Sequence, residues 1–255
     1  MGAYKNPNTP PRKSHTKHLF KMFRILFYKI TFSFVWIMIK LKGKGDVMNI
    51  LCYGDSNTWG YIPNINGYSK DAIIRHYDEK DCWWYSLKNH NKLIVNGLCG
   101  RCIAHENRWL KNRNASATIN SEISQYTNLD LIILQLGTND CKREYEDSPD
   151  VITKNLDMLL KIIQKHTCAK IMIISPSKII ENNKITQKYY KGAQSKTIQL
   201  DSCYKRLAEQ RNFLFISGLN LDVGEDGEHL TKLGHKQLGL QVLSKVKELS
   251  PAELI

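Results

Sequence analysis

The chain has 255 residues, of which 42% are hydrophobic and 24% charged. That is one large domain or two small ones with a sizeable core, and it excludes wholesale disorder, a collagen-like chain and a small disulfide scaffold. The formal charge is +13, but ten Lys/Arg and a single acid, Asp46, fall in residues 1–47, so the basic character is mostly a net +9 tail, and residues 48–255 carry only +4. A charge confined to one tail is a poor argument for a nucleic-acid-binding domain.

Residues 1–24 are polar and basic and contain three prolines. Ile25–Ile39 is almost entirely apolar, interrupted by Lys29, and its longest unbroken run, Ile30–Ile39, is ten residues. A membrane-spanning helix needs about 20 residues, so this run is too short. The basic start and apolar middle suit a signal peptide, but KLKGKGDV has no small-residue cleavage site. Two readings of residues 1–47 stand. One is an uncleaved interfacial anchor, with membrane contact only through residues 18–42. The other is a mis-called start: Lys42-Gly43-Lys44-Gly45 implies purine-rich codons just before Met48, as a ribosome-binding site read as protein would.

From Met48 a strand-then-helix pattern repeats. Short apolar runs predict strands at Asn49–Tyr53, Lys92–Val95, Leu129–Leu136, Lys170–Ser175 and Phe213–Ile216, as expected of strands buried on both faces of a parallel sheet. Helices are predicted at Asp81–Asn89, Ser116–Gln125, Ser148–His166, Ile198–Arg211 and Thr231–Leu249. The third of these has a cap and a first-turn proline in Ser148-Pro149-Asp150. The fold class is therefore α/β: a three-layer α/β/α, flavodoxin-like, doubly wound parallel sheet of five strands over residues 48–255. Such sheets bind ligands at the carboxyl ends of their strands.

The chemistry-bearing segments follow those ends. After the first strand comes Gly54-Asp55-Ser56-Asn57-Thr58-Trp59-Gly60, a sharp turn that sets a hydroxyl where a helix starts and where the helix field would favour an oxyanion. After the second comes Asn96-Gly97-Leu98-Cys99-Gly100-Arg101-Cys102, where a glycine can bring its N–H close to a substrate oxygen. After the third comes Gly137-Thr138-Asn139-Asp140, whose Asn139 amide is a suitable oxyanion donor. Before the last helix, Asp226 and His229 are three apart, so the carboxylate can orient the imidazole. A nucleophile, a base, an orienting acid and oxyanion donors together make an acyl-transfer set.

These segments resemble the SGNH hydrolases, the GDSL esterase/lipase family, over about residues 48–250. Gly54-Asp55-Ser56 resembles the nucleophile block, Gly100 falls at the glycine of the second, Gly137-Thr138-Asn139-Asp140 resembles the third and Asp226-x-x-His229 the last. Ile50–Gly60, Gly97–Arg101 and Gly192–Thr197 are similar to the arylesterase/acyltransferase branch. The resemblance implies Ser56 as nucleophile, His229 as general base and acid, and Asp226 as its partner. It also implies an oxyanion hole of the Ser56 and Gly100 N–H groups and the Asn139 side chain. Gly97 is a rival to Gly100, and Gly100 is preferred.

The expected activity is a serine esterase acting on short-chain acyl esters, by hydrolysis or transfer, with no metal or organic cofactor. A carbohydrate O-acetylesterase and a lysophospholipase or thioesterase are alternatives within the family. The non-enzyme alternative is a membrane-surface or nucleic-acid binder acting through the basic tail. The expected partner is a small ester, with no nucleic acid and with a homo-oligomer left open. The expected compartment is cytoplasmic, with membrane association as the alternative.

Blander readings accompany these. Seven cysteines, an odd number, suit a reducing compartment, and Cys52 and Cys168 are expected in apolar settings. Cys99-x-x-Cys102 reads as a loop with incidental thiols, since zinc would need a second ligand pair. Trp59 is either an acyl-pocket wall or plain core. Asp55 is read as structural, Arg101 as a surface salt bridge, His235 as exposed, and Lys184–Lys196 as a solvated connection or lid.

Overall fold

The computed structural model describes residues 47–66, 75–89, 91–108 and 110–249. The sequence readings of residues 1–46 lie outside the described residues. All five predicted strands are present within two residues of their expected ends: β1 (Met48–Gly54), β2 (Asn91–Gly97), β3 (Leu131–Gln135), β4 (Lys170–Ile174) and β5 (Leu214–Ile216). They form one all-parallel sheet in the order β2-β1-β3-β4-β5. The chain runs outward from β1 to β2, then returns to lay β3 on the other side of β1. The strand order reverses between β1 and β3, and in a doubly wound sheet a ligand crevice opens at that point, outside the carboxyl ends of the strands.

The period-two alternation of the strands feeds two apolar layers. Leu51 and Tyr53 of β1 and Ile132 and Leu134 of β3 pack on one face, with Ile119 and Ile123 of α2 (Ala115–Ile123), Leu156 and Leu160 of α3 (Pro149–His166) and Leu200 and Tyr204 of α5 (Ala193–Arg211). Ile50, Cys52, Leu131 and Ile133 face the other way, onto Trp83, Trp84, Leu87 and Leu238 and Val242 of α6 (Lys232–Lys247). Sandwiched on both sides, β3 is buried throughout, which is why its sequence is a continuous apolar run.

The structure corrects four local expectations. Residues 81–89 form no α-helix: two 3₁₀ turns, Glu79–Asp81 and Trp83–Leu87, flank Cys82, whose extended backbone (φ −84°, ψ 145°) breaks any continuous helix. The 184–196 connection is largely helical. Asn183 caps α4 (Lys184–Tyr189) through a capping box with Thr186, Tyr190 is fully buried, and Gly192 at φ 86° starts α5 five residues earlier than predicted. Cys168 is exposed, because it lies in the connection after α3 and before β4 begins. His235 is fully buried, with Nδ1 accepting from the Trp83 N–H at 3.3 Å and its ring edge-on to Tyr77. Among the described residues no helix is long and apolar enough to cross a membrane.

Candidate active site

The turn after β1 is built for close approach. A Cβ on Gly54 would lie 2.1 Å from Thr58 Oγ1 and 2.7 Å from the Gln135 carbonyl oxygen, so only glycine lets β1 run tight against β3 and reverse. Asp55 is extended and caps α1 (Ser56–Trp59), its Oδ1 accepting from the Asn57 N–H at 2.9 Å. Burial pushes the Asp55 carboxyl up to about 6. Besides the turn, its carboxylate bonds the Thr138 side chain after β3 and acts electrostatically on His229. The helix itself is one turn long, closed by Gly60 at φ 97°. It aligns too few peptide dipoles to supply the field expected from the sequence.

The structure brings Ser56, His229 and Asp226 together. Ser56 Oγ lies 2.9 Å from His229 Nε2, and His229 Nδ1 lies 2.8 Å from Asp226 Oδ2. The carboxylate can only accept, so Nδ1 carries the proton and Nε2 is left to accept from the serine hydroxyl. Asp226 also accepts from the backbone N–H groups of Asn64 (2.9 Å), Glu228 (3.2 Å) and His229 (3.0 Å). Burial pushes its carboxyl up, but these donors and the imidazole more than offset that and hold it below the usual range. For His229, burial pushes downward, and the neighbouring Glu228 and Asp226 carboxylates outweigh it, so the imidazole sits above its ordinary 6.5.

The two segments of this site are far apart in the chain, and Asn57 ties them. Its Oδ1 accepts from the Leu230 N–H at 2.9 Å and its Nδ2 donates to the Glu228 carbonyl at 3.3 Å, so the residue after Ser56 grips both neighbours of His229. Tyr61 stacks on the imidazole, with ring centroids 4.2 Å apart. Neither residue was singled out from the sequence; Asn57 was visible only as a member of the Gly54–Gly60 turn.

On the other side of Ser56 lies the loop after β2. Gly100 has φ 78°, a conformation open to glycine, and a Cβ there would also press to 2.9 Å of Asn107 Nδ2. The rival Gly97 is the last residue of β2, and a Cβ on it would fall 2.2 Å from the Trp59 backbone nitrogen. Gly97 is therefore a packing glycine under α1. The backbone N–H groups of Ser56 and Gly100 donate to no backbone acceptor among the described residues. Asn139 Nδ2 donates to the Arg101 carbonyl at 3.1 Å, which docks the β3 end on the loop after β2 and leaves its second N–H for a ligand.

Arg101 is not the surface salt bridge expected from the sequence. It is 2% exposed, lies over the Tyr53 ring, and donates to the carbonyls of Gly54 (2.9 Å) and Asn96 (2.6 Å) and to Glu122 (3.3 Å). It thus fastens its own loop to the strand end that carries Ser56. Asp140, fully buried and with its carboxyl pushed up by burial to about 7, accepts from the Ile103 N–H at 2.9 Å. The His105–Asp147 pair (2.7 Å) closes the same seam. Trp59 is partly exposed and lines a cavity of about 370 Å³ with His76, Glu79, Trp84, Lys88, Leu93, Val95 and Gly97, which neither Ser56 nor His229 lines. All seven cysteines are free, and among the described residues no cluster of three His, Cys, Asp or Glu could hold a metal ion.

Comparison with solved structures returns the same architecture. The M. smegmatis aryl esterase superposes with a TM-score of 0.72 at 24% identity, covering 80% of this chain and 100% of that one. Est24, a carbohydrate acetylesterase from Sinorhizobium meliloti, gives 0.71 at 25% identity over 79% and 99%. A lipase/acylhydrolase from Enterococcus faecalis gives 0.59 at 16% identity over 79% and 96%. A search of curated proteins finds no match. Residues 52–237 match the GDSL-like lipase/acylhydrolase family, a span from the middle of β1 through β2–β5 into α6, and the chain belongs to that family, the SGNH hydrolases.

Proposed function

We propose that the chain is a serine esterase that hydrolyses or transfers short acyl groups through an acyl-enzyme. One observation carries this reading: the unbroken relay from Ser56 Oγ through His229 Nε2 and Nδ1 to Asp226, with links of 2.9 and 2.8 Å. In the proposed cycle His229 takes the Ser56 proton as Oγ attacks the ester carbonyl, and Asp226 holds the tautomer and stabilises the imidazolium. The Ser56 and Gly100 N–H groups and the Asn139 amide receive the oxyanion. His229 then protonates the leaving alcohol, and water or another acceptor, deprotonated by the same imidazole, releases the acyl group. Every step is a proton or acyl transfer among these side chains and the substrate.

The acyl group is proposed to be small, with the partly exposed Trp59 ring as a wall of its pocket. Acetyl esters of carbohydrates are the second reading, supported by the likeness to Est24 at 25% identity. The test is turnover of p-nitrophenyl esters of increasing chain length, beside acetylated sugars. The acetyl ester should be cleaved fastest, and Ser56→Ala should lose about 10⁴-fold or more in kcat. Equal rates for wild type and Ser56→Ala would overturn the assignment.

A further inference from the structure

The imidazole has a second acid beside it. Glu228 is 2% exposed, and its Oε1 lies 3.7 Å from His229 Nδ1, the nitrogen that Asp226 holds at 2.8 Å. Adjacent residues of a loop ordinarily turn their side chains apart. Here the backbone folds back on itself: the Glu228 and His229 N–H groups both reach Asp226 Oδ1, and the His229 carbonyl accepts from Gly224 at 2.8 Å. Asn57 and Ser177 both donate to the Glu228 carbonyl, which pins the residue between the two sides of the crevice. The two carboxylates consequently converge on one nitrogen.

We propose, resting on the esterase reading above, that Glu228 is a positioning residue for His229, a second carboxylate that shares with Asp226 the stabilisation of the imidazolium formed during turnover. The chemistry calls for one. Asp226 already accepts from three backbone N–H groups besides the imidazole, so its negative charge is spread over four donors. A nearby buried carboxylate adds field at the ring without taking the hydrogen bond, and burial leaves it less screened than a surface charge. The other groups facing the ring are Asp55 and Ser56 from the β1 turn, the Tyr61 ring stacked on its face, and His235 from α6. Of these only Asp55 is an acid; it also raises the imidazole, less than Glu228 does, and its own carboxylate accepts from the Asn57 N–H and bonds the Thr138 side chain. The direction of the His229 shift agrees, since Glu228 is the foremost influence raising it. The consequence is a base whose neutral, competent form is reached only above its ordinary 6.5.

The experiment titrates His229 by NMR in isotope-labelled Ser56→Ala protein, with and without Glu228→Gln, the resonance being identified by its loss in His229→Gln. Two charges 3.7 Å apart interact by about 1 kcal/mol even at the dielectric of water, so Glu228→Gln should lower the imidazole pKa by about 0.8 unit or more. Glu228→Asp, which keeps the charge, should retain part of the raise and serves if the glutamine variant does not fold. A His229 pKa unchanged within about 0.2 unit in a folded variant overturns the proposal. The acid limb of kcat/KM in proteins retaining Ser56 should move the same way. The NMR result stands without any turnover, so inactivity of the wild type on esters would refute the esterase reading while leaving the carboxylate pairing decided on its own.

Discussion

Asn57 is the residue whose loss should separate the two halves of the site. It is 1% exposed and its amide spans from the nucleophile turn to the histidine loop, accepting from Leu230 at 2.9 Å and donating to Glu228 at 3.3 Å. Asn57→Ala leaves the Leu230 N–H buried without its acceptor, which costs about 1–3 kcal/mol. The Glu228 carbonyl keeps the Ser177 hydroxyl at 3.4 Å and adds less. A total of about 2–3 kcal/mol in a domain of this size corresponds to a fall in Tm of roughly 4–12 °C. The functional loss should be larger than stability alone explains, because the Ser56–His229 distance is set across this bridge, and a displacement of about 1 Å can cost around 10²-fold. Urea unfolding gives the first number, and kcat on p-nitrophenyl acetate at a temperature where the variant is fully folded gives the second. A variant that loses stability as calculated yet keeps kcat within about threefold of wild type would show that Asn57 is packing only and that the histidine loop finds its register without it.

Three further outcomes follow from the same geometry. Asn139→Ala should lower kcat by about 10²–10³ with little change in KM, since the amide is expected to act on charge that develops in the transition state; steady-state kinetics on the acetyl ester checks this. His229 must be neutral to act as a base, and because its neighbours raise it above 6.5 the acid limb of kcat/KM should lie above that value, activity being lost as pH falls through it; a pH profile with its limb well below 6.5 would contradict the charge arrangement. Burial pushes His235 down to about 4. A depressed folded-state pKa means stability that is full above the unfolded value near 6.5 and is lost as pH falls toward 4, by about 3 kcal/mol from this residue. Urea midpoints of wild type and His235→Gln at pH 7.5 and 4.5 should accordingly converge or cross at the lower pH.

The sheet and the relay were both legible in the sequence, for different reasons. Strands buried on two faces leave continuous apolar runs, and β1, β3 and β4 lie where those runs are. Ser56, Asn139, Asp226 and His229 stood out because each follows a strand end or precedes a helix, where a doubly wound sheet can present a ligand site. What the sequence did not disclose are contacts between segments distant in the chain. Arg101 looks like a surface cation until Gly54, Asn96 and Glu122 are seen around it. His235 looks exposed by helical position alone, but the Trp83–Leu87 segment covers that face of α6. The 81–89 segment has helical spacing of apolar residues, yet the same spacing serves two 3₁₀ turns just as well. Glu228 carries no signal of its own in the sequence, and only the folded loop brings its carboxylate to 3.7 Å of Nδ1.

The central claim is that Ser56 is a nucleophile activated by His229, and covalent capture tests it most directly. The protein is treated with a fluorophosphonate at neutral pH, digested, and mapped by mass spectrometry. The account predicts a single phosphonyl adduct on Ser56, much slower labelling of the His229→Gln variant, and none of Ser56→Ala. Labelling of another residue, or labelling at the wild-type rate in the absence of His229, would contradict it.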